Sequence, residues 1–147
     1  MRAVVQRVSH ASVEVSGEGI ASIGPGLLVL VAAAEGDGPE DLQWIGRKLC
    51  GLRIFPDAAG KMNLSVIQAG GSILVVSQFT LCGDVSRGMR PSFTTAMEPG
   101  RASAMINELV RLLRERVVVE TGCFGADMKV ALTNDGPVTL WLDSRNP

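Results

Sequence analysis

The sequence predicts a layered α/β or α+β domain in which helices cover a sheet. Three observations carry that reading. Short apolar runs with strand character open and close the chain, and two stretches between them carry apolar residues at helical spacing. Hydrophobic residues make up 46% and charged residues 20%, a globular rather than a disordered composition. The chain has 147 residues, within the usual span of one domain, and no linker, repeat or low-complexity segment divides it. Residues 1–147 are therefore read as a single domain with a core that needs no staple.

Val4, Val5 and Val8, then Val13 and Val15 alternating with Ser12, Glu14 and Ser16, read as strands. Gly17-Glu18-Gly19 offers a hairpin turn into a short strand, Ile20 to Ile23. After Gly24-Pro25-Gly26, the run Leu27 to Val31 is apolar on both faces, as in a central strand. Pro39 suits the first turn of a helix, and Glu40 and Asp41 favour its dipole. Leu42, Ile45, Leu49 and Leu52 give that helix its apolar face.

Pro56 to Gly60 and Gly70-Gly71 read as loops, and Ser72 to Leu81 as an apolar strand that turns polar at its end. Cys82 to Glu98 has loop composition. Pro99-Gly100 opens a second helix with a stripe of Ala102, Met105, Ile106, Leu109, Leu112 and Leu113. Val117 to Val119 reads as a strand. Lys129 to Thr133 and Val138 to Leu142 read as two strands joined through Asn134-Asp135-Gly136-Pro137.

Composition also excludes. Fourteen Lys and Arg against fifteen Asp and Glu leave a net charge of -1, which argues against broad nucleic-acid binding but permits a local basic patch. His10 is the only histidine, so acid–base schemes built on imidazole rest on it or fall; in a strand without other ligands it reads as a plain strand residue. Cys50, Cys82 and Cys123 are far apart, which speaks against zinc clips and disulfides and for a reduced compartment. No cofactor or metal is expected. The N-terminal segment lacks the apolar run of a signal peptide, and Leu27 to Ala34 is too short to span a bilayer. A soluble cytoplasmic protein without membrane contact is the expectation.

Two segments are candidates for chemistry. Ser77-Gln78-Phe79-Thr80-Leu81 clusters hydroxyls and an amide where a buried strand emerges. It either satisfies its own polar groups locally or presents N–H groups to a developing oxyanion. In Asn134-Asp135-Gly136-Pro137-Val138, Asp-Gly is an ordinary hairpin signal, whereas Pro137 removes a donor where the next strand should begin. Spacing alone leaves the isomer of that Gly-Pro bond open. Cys82 has no base or cation near it in sequence and reads as a buried structural thiol. Arg87, Arg90 and Arg101 either contact phosphates or form a solvated loop, and Arg7 either faces solvent or reaches a specific partner.

Taken together, Gln6-Arg7-Val8, Gly60-Lys61-Met62-Asn63-Leu64, Ser77 to Leu81, Arg87-Gly88-Met89-Arg90-Pro91-Ser92-Phe93 and Asn134 to Thr139 make the chain closely resemble the D-aminoacyl-tRNA deacylases, also called D-tyrosyl-tRNA deacylases. The likeness covers nearly the whole chain in order and spacing. It implies a three-layer β/β/α fold with a mixed, barrel-like sheet and two main helices, assembled as a homodimer with two sites at the subunit interface. It implies that Gly136-Pro137 is cis and enters the partner's site, where its carbonyls grip the α-amino group of the aminoacyl ester and exclude an L side chain. Ser77, Gln78, Phe79 and Thr80 would form the other wall, Arg7 would orient the Gly-Pro carbonyls, and Phe124 and Met128 would line the pocket for the tRNA's 3′ terminal adenosine. Cys123 stands where the family leads one to expect a basic residue.

The implied reaction is ester hydrolysis that frees a D-amino acid and tRNA, with glycine, including glycine mischarged on tRNA-Ala, also passing the filter. Thr80 as nucleophile and water assisted by the ribose 2′-hydroxyl both remain; the second is favoured because nothing near Thr80 in sequence supplies a base. A related family that edits L-alanyl-tRNA has Pro where this chain has Ser77. A non-catalytic RNA-binding module and a Cys82 hydrolase are the other rivals.

Overall fold

The apolar alternation near the start becomes one long strand, β1 (Arg2–Val15), in the computed structural model, which describes residues 1–147. It is followed by β2 (Glu18–Ile23), β3 (Gly26–Ala32), α1 (Pro39–Gly51), the two short strands β4 (Phe55–Pro56) and β5 (Met62–Leu64), and β6 (Ser72–Ser77). A single 3-10 turn (Phe79–Cys82), α2 (Pro99–Arg114), β7 (Val118–Thr121) and β8 (Met128–Asp143) complete the chain.

β1 organises the sheet. One of its edges pairs antiparallel with β8 over almost its full length, from Arg2 opposite Asp143 to Val15 opposite Met128. Its other edge is shared: Arg2 to Val8 pair with β3, and Ala11 to Val15 pair with β2. β3, β6 and β7 then run parallel to one another, so the sheet is mixed. Gly26 and Gly71 let the starts of β3 and β6 approach closely; a Cβ on Gly26 would stand 1.9 Å from the Ser72 carbonyl oxygen. β2 also lies close to β6 and β7, which nearly closes the sheet into a barrel.

Two cores follow from the pleat. Val5, Leu27, Val29, Val31, Ile73 and Val75 point to one face and pack under Ile45 and Leu49 of α1 and Ile106, Leu109 and Leu113 of α2. Leu28, Leu74 and Val76 point to the other face and meet Val8, Ala11, Val13 and Ile23 from the far ends of β1 and β2. This double burial is why the Leu27 to Val31 run lacks alternation. The result is helix on sheet on sheet, the predicted mixed, barrel-like β/β/α arrangement with two main helices.

Three segments differ from their sequence reading. Ser72 to Leu81 is not one strand: the ladder ends at Ser77, Gln78 N–H donates to Val31 O at 2.8 Å, and the chain coils into the 3-10 turn. Asn134 to Pro137 is not a hairpin turn, because both flanking segments pair with the same strand β1 and form one continuous β8. Asn134 stays paired opposite Val8 and residues 135–138 bulge from the strand, while the Asn134 side chain repairs the ladder by donating to Arg7 O and Val138 O, each at 3.0 Å. The β4–β5 ribbon lies in a stretch read as loop and undefined chain. No helix is long and apolar enough to cross a membrane.

Candidate active site

Where β6 runs out, its polar end meets a cavity of about 640 Å³. Ser77, Gln78 and Phe79 form one wall and Phe124 and Met128 another. The N-terminal part of α2 supplies Ala102 and Ile106. Five of the nine candidate residues thus share one cavity. Phe93 joins the rim, its ring edge-on to Phe79 at 5.0 Å between centroids. Phe93, Ala102 and Ile106 were not singled out as site residues; the latter two were legible only as part of a helical stripe, which core packing explains equally well.

The 3-10 turn shapes the polar wall. Gln78 N–H is used by Val31 O, and Leu81 N–H and Gly83 N–H close the turn on Gln78 O and Thr80 O. The N–H groups of Phe79 and Thr80, in its first turn, enter none of the hydrogen bonds of the fold. Phe79 and Thr80 are both exposed. The Gln78 side-chain amide donates to the Thr80 hydroxyl oxygen, which leaves the hydroxyl's own O–H free to donate beside the two open amides. Such donors are what a tetrahedral oxyanion requires.

Both acids of the cavity lining are engaged elsewhere. The backbone N–H groups of Gly100 and Arg101 hold the Glu98 carboxyl below the usual carboxylate range, and this group caps α2. Asp127 is exposed and pairs with Lys129 at 3.0 Å. Cys82 is buried, its Sγ toward Ala33 O at 3.8 Å, and burial pushes the thiol up, away from the nucleophilic thiolate. His10 is exposed on β1 opposite Thr133 and outside the cavity lining. His10→Ala should therefore leave any hydrolytic rate within about twofold and its pH profile unchanged, since general acid–base catalysis is worth about 100-fold or more where present. Initial rates between pH 5 and 9 test this.

Of the four other candidates, Thr80 follows the lining residue Phe79 without itself lining the cavity, and Gly136, Pro137 and Arg7 lie elsewhere. The bulge of β8 carries the exposed Gly136-Pro137 pair, joined by a cis peptide bond, and neither residue lines the chain's own cavity. Gly136 has φ of 119°, and a Cβ there would stand 2.8 Å from Val138 and 3.0 Å from the Arg7 guanidinium. Arg7 is 9% exposed and stretched between anchors: it donates to Ile54 O at 2.5 Å and lies 3.0 Å from the Asp135 carboxylate. The guanidinium thus ties β1 and the segment before β4 to the base of the bulge. Cys123 is exposed beside Phe124, and its N–H donates to the Met128 sulfur at 3.3 Å.

The family model for D-Tyr-tRNA(Tyr) deacylase matches residues 4–143 of the chain. A D-aminoacyl-tRNA deacylase of Myxococcus xanthus (strain DK1622) is 57% identical over 100% of this chain and 97% of its own length. One from Prosthecochloris aestuarii (strain DSM 271 / SK 413) is 57% identical over 98% of this chain and 99% of its own. Among solved structures, a c-Myc DNA unwinding element binding protein superposes with a TM-score of 0.93 at 42% identity, covering 97% of this chain and 98% of that one. A probable eukaryotic D-amino acid tRNA deacylase superposes at 0.83 over 96% of this chain and 97% of that one; at 17% identity it speaks for the fold alone.

Proposed function

The chain belongs to the D-Tyr-tRNA(Tyr) deacylase family, a D-aminoacyl-tRNA deacylase and thus a hydrolase of ester bonds, and from that premise we propose how its residues divide the work. Residues 1–147 act as one catalytic domain that takes the aminoacylated 3′ end of tRNA. The terminal adenosine enters the apolar cavity against Phe124 and Met128, and the ester carbonyl faces Ser77 to Thr80. The N–H groups of Phe79 and Thr80 receive the oxyanion as water attacks, and the products are a D-amino acid and tRNA. Glycyl esters, including glycine mischarged on tRNA-Ala, pass the same filter because they have no side chain to exclude. Aminoacyl-tRNA is a cytoplasmic species, so the enzyme works in the cytoplasm.

The observation that carries this reading is the pair of open amides, Phe79 in the cavity lining and Thr80 next to it, with both carboxylates of the lining engaged elsewhere. With Glu98 and Asp127 committed and His10 outside the lining, the substrate supplies the missing group, its ribose 2′-hydroxyl. Thr80 positions rather than attacks. Deacylation of matched D- and L-aminoacyl-tRNA tests the function; equal rates on both enantiomers overturn it.

A complete site needs two chains. Gly136-Pro137 is exposed and distant in the lining from its own cavity, and β8 offers a free edge with Trp141 and Leu132 exposed beside it. A second copy covers this edge, and each copy inserts its bulge into the other's cavity, where Gly-Pro carbonyls hold the substrate's α-amino group. Sedimentation at assay concentration should give a dimer. Mixing Gly136→Ala chains with Ala126→Trp chains, which carry a blocked cavity, should recover activity that neither has alone. An active monomer, or no recovery in mixed dimers, contradicts the shared site.

A further inference from the structure

Between the 3-10 turn and α2 the chain builds a small finger. Asp84 and Ser92 exchange backbone hydrogen bonds, Asp84 N–H to Ser92 O at 2.8 Å and Ser92 N–H to Asp84 O at 2.9 Å. This closes residues 84–92 into a loop whose tip is Ser86-Arg87-Gly88-Met89-Arg90. The base of the finger is part of the cavity rim. Phe93, directly after Ser92, lines the cavity and packs on Phe79, and the Thr95 hydroxyl donates to Cys82 O at 3.0 Å. Gly83 is squeezed against the Phe93 ring, which a Cβ would approach to 3.0 Å. The finger therefore has a fixed root on the wall that faces the ester.

Its charges are unspent. The ion pairs of the fold engage Arg2, Arg7, Arg101, Arg111, Arg145 and Lys129, and neither Arg87 nor Arg90 takes part in one. Arg101, the third arginine of this region, is paired with Glu35 at 3.2 Å and is not free to serve. Asp84, the acid at the finger's base, turns its carboxylate onto Ser86 N–H at 2.8 Å and forms an ion pair with neither arginine. Val85 and Met89 stand in solvent, Met89 completely. In a chain of net charge -1, two unpaired guanidinium groups on a finger whose root residue Phe93 lines the cavity form a local cationic point.

We propose that the finger 84–92 is an RNA-binding arm, in which Arg87 and Arg90 contact backbone phosphates of the substrate tRNA just upstream of the terminal adenosine. The inference rests on the deacylase reading of the cavity. An RNA strand whose last nucleotide lies in the cavity must leave over its rim, and its phosphates then pass the one free cationic element rooted there. These contacts position the strand and carry no information about the amino acid.

The test compares two esters, a full D-aminoacyl-tRNA and 3′-D-aminoacyl-adenosine, which lacks every upstream phosphate. For the Arg87→Ala/Arg90→Ala double variant, KM on the full tRNA should rise on the order of tenfold with kcat kept. The log–log slope of kcat/KM against salt should flatten by about one unit per arginine removed. Turnover of the adenosine ester should not change, and the double Arg→Lys variant should restore most of the salt slope. Equal loss on both esters, or no loss on the tRNA, overturns the arm while leaving the deacylase reading intact. If the unaltered protein turns over neither ester, the deacylase reading itself fails and the arm with it.

Discussion

A D-aminoacyl-tRNA should be deacylated at least about a thousandfold faster than its L counterpart, a difference of about 4 kcal/mol between the two transition states. The selectivity is one of exclusion. In the proposed arrangement the α-amino group is held by backbone carbonyls on one side and the ester carbonyl by the Phe79 and Thr80 amides on the other, so inverting the α-carbon drives the side chain into main chain. Main chain yields less than a side chain does, so the clash is not relieved by a rotamer change. Gly136→Ala is the matching change in the protein. At φ of 119° an L side chain is strained, and the new methyl would stand 2.8 Å from Val138 and 3.0 Å from the Arg7 guanidinium. The bulge must shift, and a shift of about 1 Å at a positioning element costs on the order of 100-fold. Activity on the D ester should fall by that amount while the melting temperature changes little, because the bulge is exposed and outside both hydrophobic cores. A Gly136→Ala enzyme with unaltered kcat/KM shows that the bulge does not touch the substrate.

Replacing the terminal adenosine by 2′-deoxyadenosine should slow hydrolysis on the order of 100–1000-fold or more with binding kept, the loss typical of removing one group from the reacting centre. Thr80→Ala should leave measurable turnover. The Thr80 hydroxyl already accepts a hydrogen bond from Gln78, and no carboxylate or imidazole stands ready to deprotonate it. A covalent Thr80 would behave oppositely: Thr80→Ala would be dead, the 2′-deoxy ester would turn over normally, and an acyl-enzyme would accumulate. Rapid-quench kinetics on both substrates, with mass spectrometry of the intact protein, separates the two.

Much of the fold was legible because it obeys simple periods. The apolar stripe of α2 and the Pro39 start of α1 both stand where spacing and capping put them. What failed was local chemistry overridden by a neighbour. Asp135-Gly136 carries a hairpin signal, but β1 is long enough to pair with both flanking segments, and the Asn134 amide replaces the hydrogen bonds that Pro137 cannot make. Thr80 and Leu81 suit a strand, yet β3 ends at Ala32 and leaves them nothing to pair with. Ser77, Gln78, Phe79, Phe124 and Met128 line one cavity. No pattern in one sequence brings segments nearly fifty residues apart onto one cavity, and nothing in it marked the start of α2 as a third wall.

The pairing of the first strand with the last also governs when the protein can exist during its synthesis. Arg2 lies opposite Asp143, so the edge that β1 offers to β8 stays bare until almost the whole chain has left the ribosome. The parallel pair of β3 and β6, with α1 above it, has all its residues available far earlier. Met128 opens β8, which makes the floor of the cavity one of the last parts to be delivered. A nascent chain therefore carries a fourteen-residue strand with one edge bare until β8 follows, a sticky edge of the kind that recruits chaperones. Closure of that edge over so long a sequence separation is slow by nature. The cavity and the completed barrel are gained together, once β8 has paired.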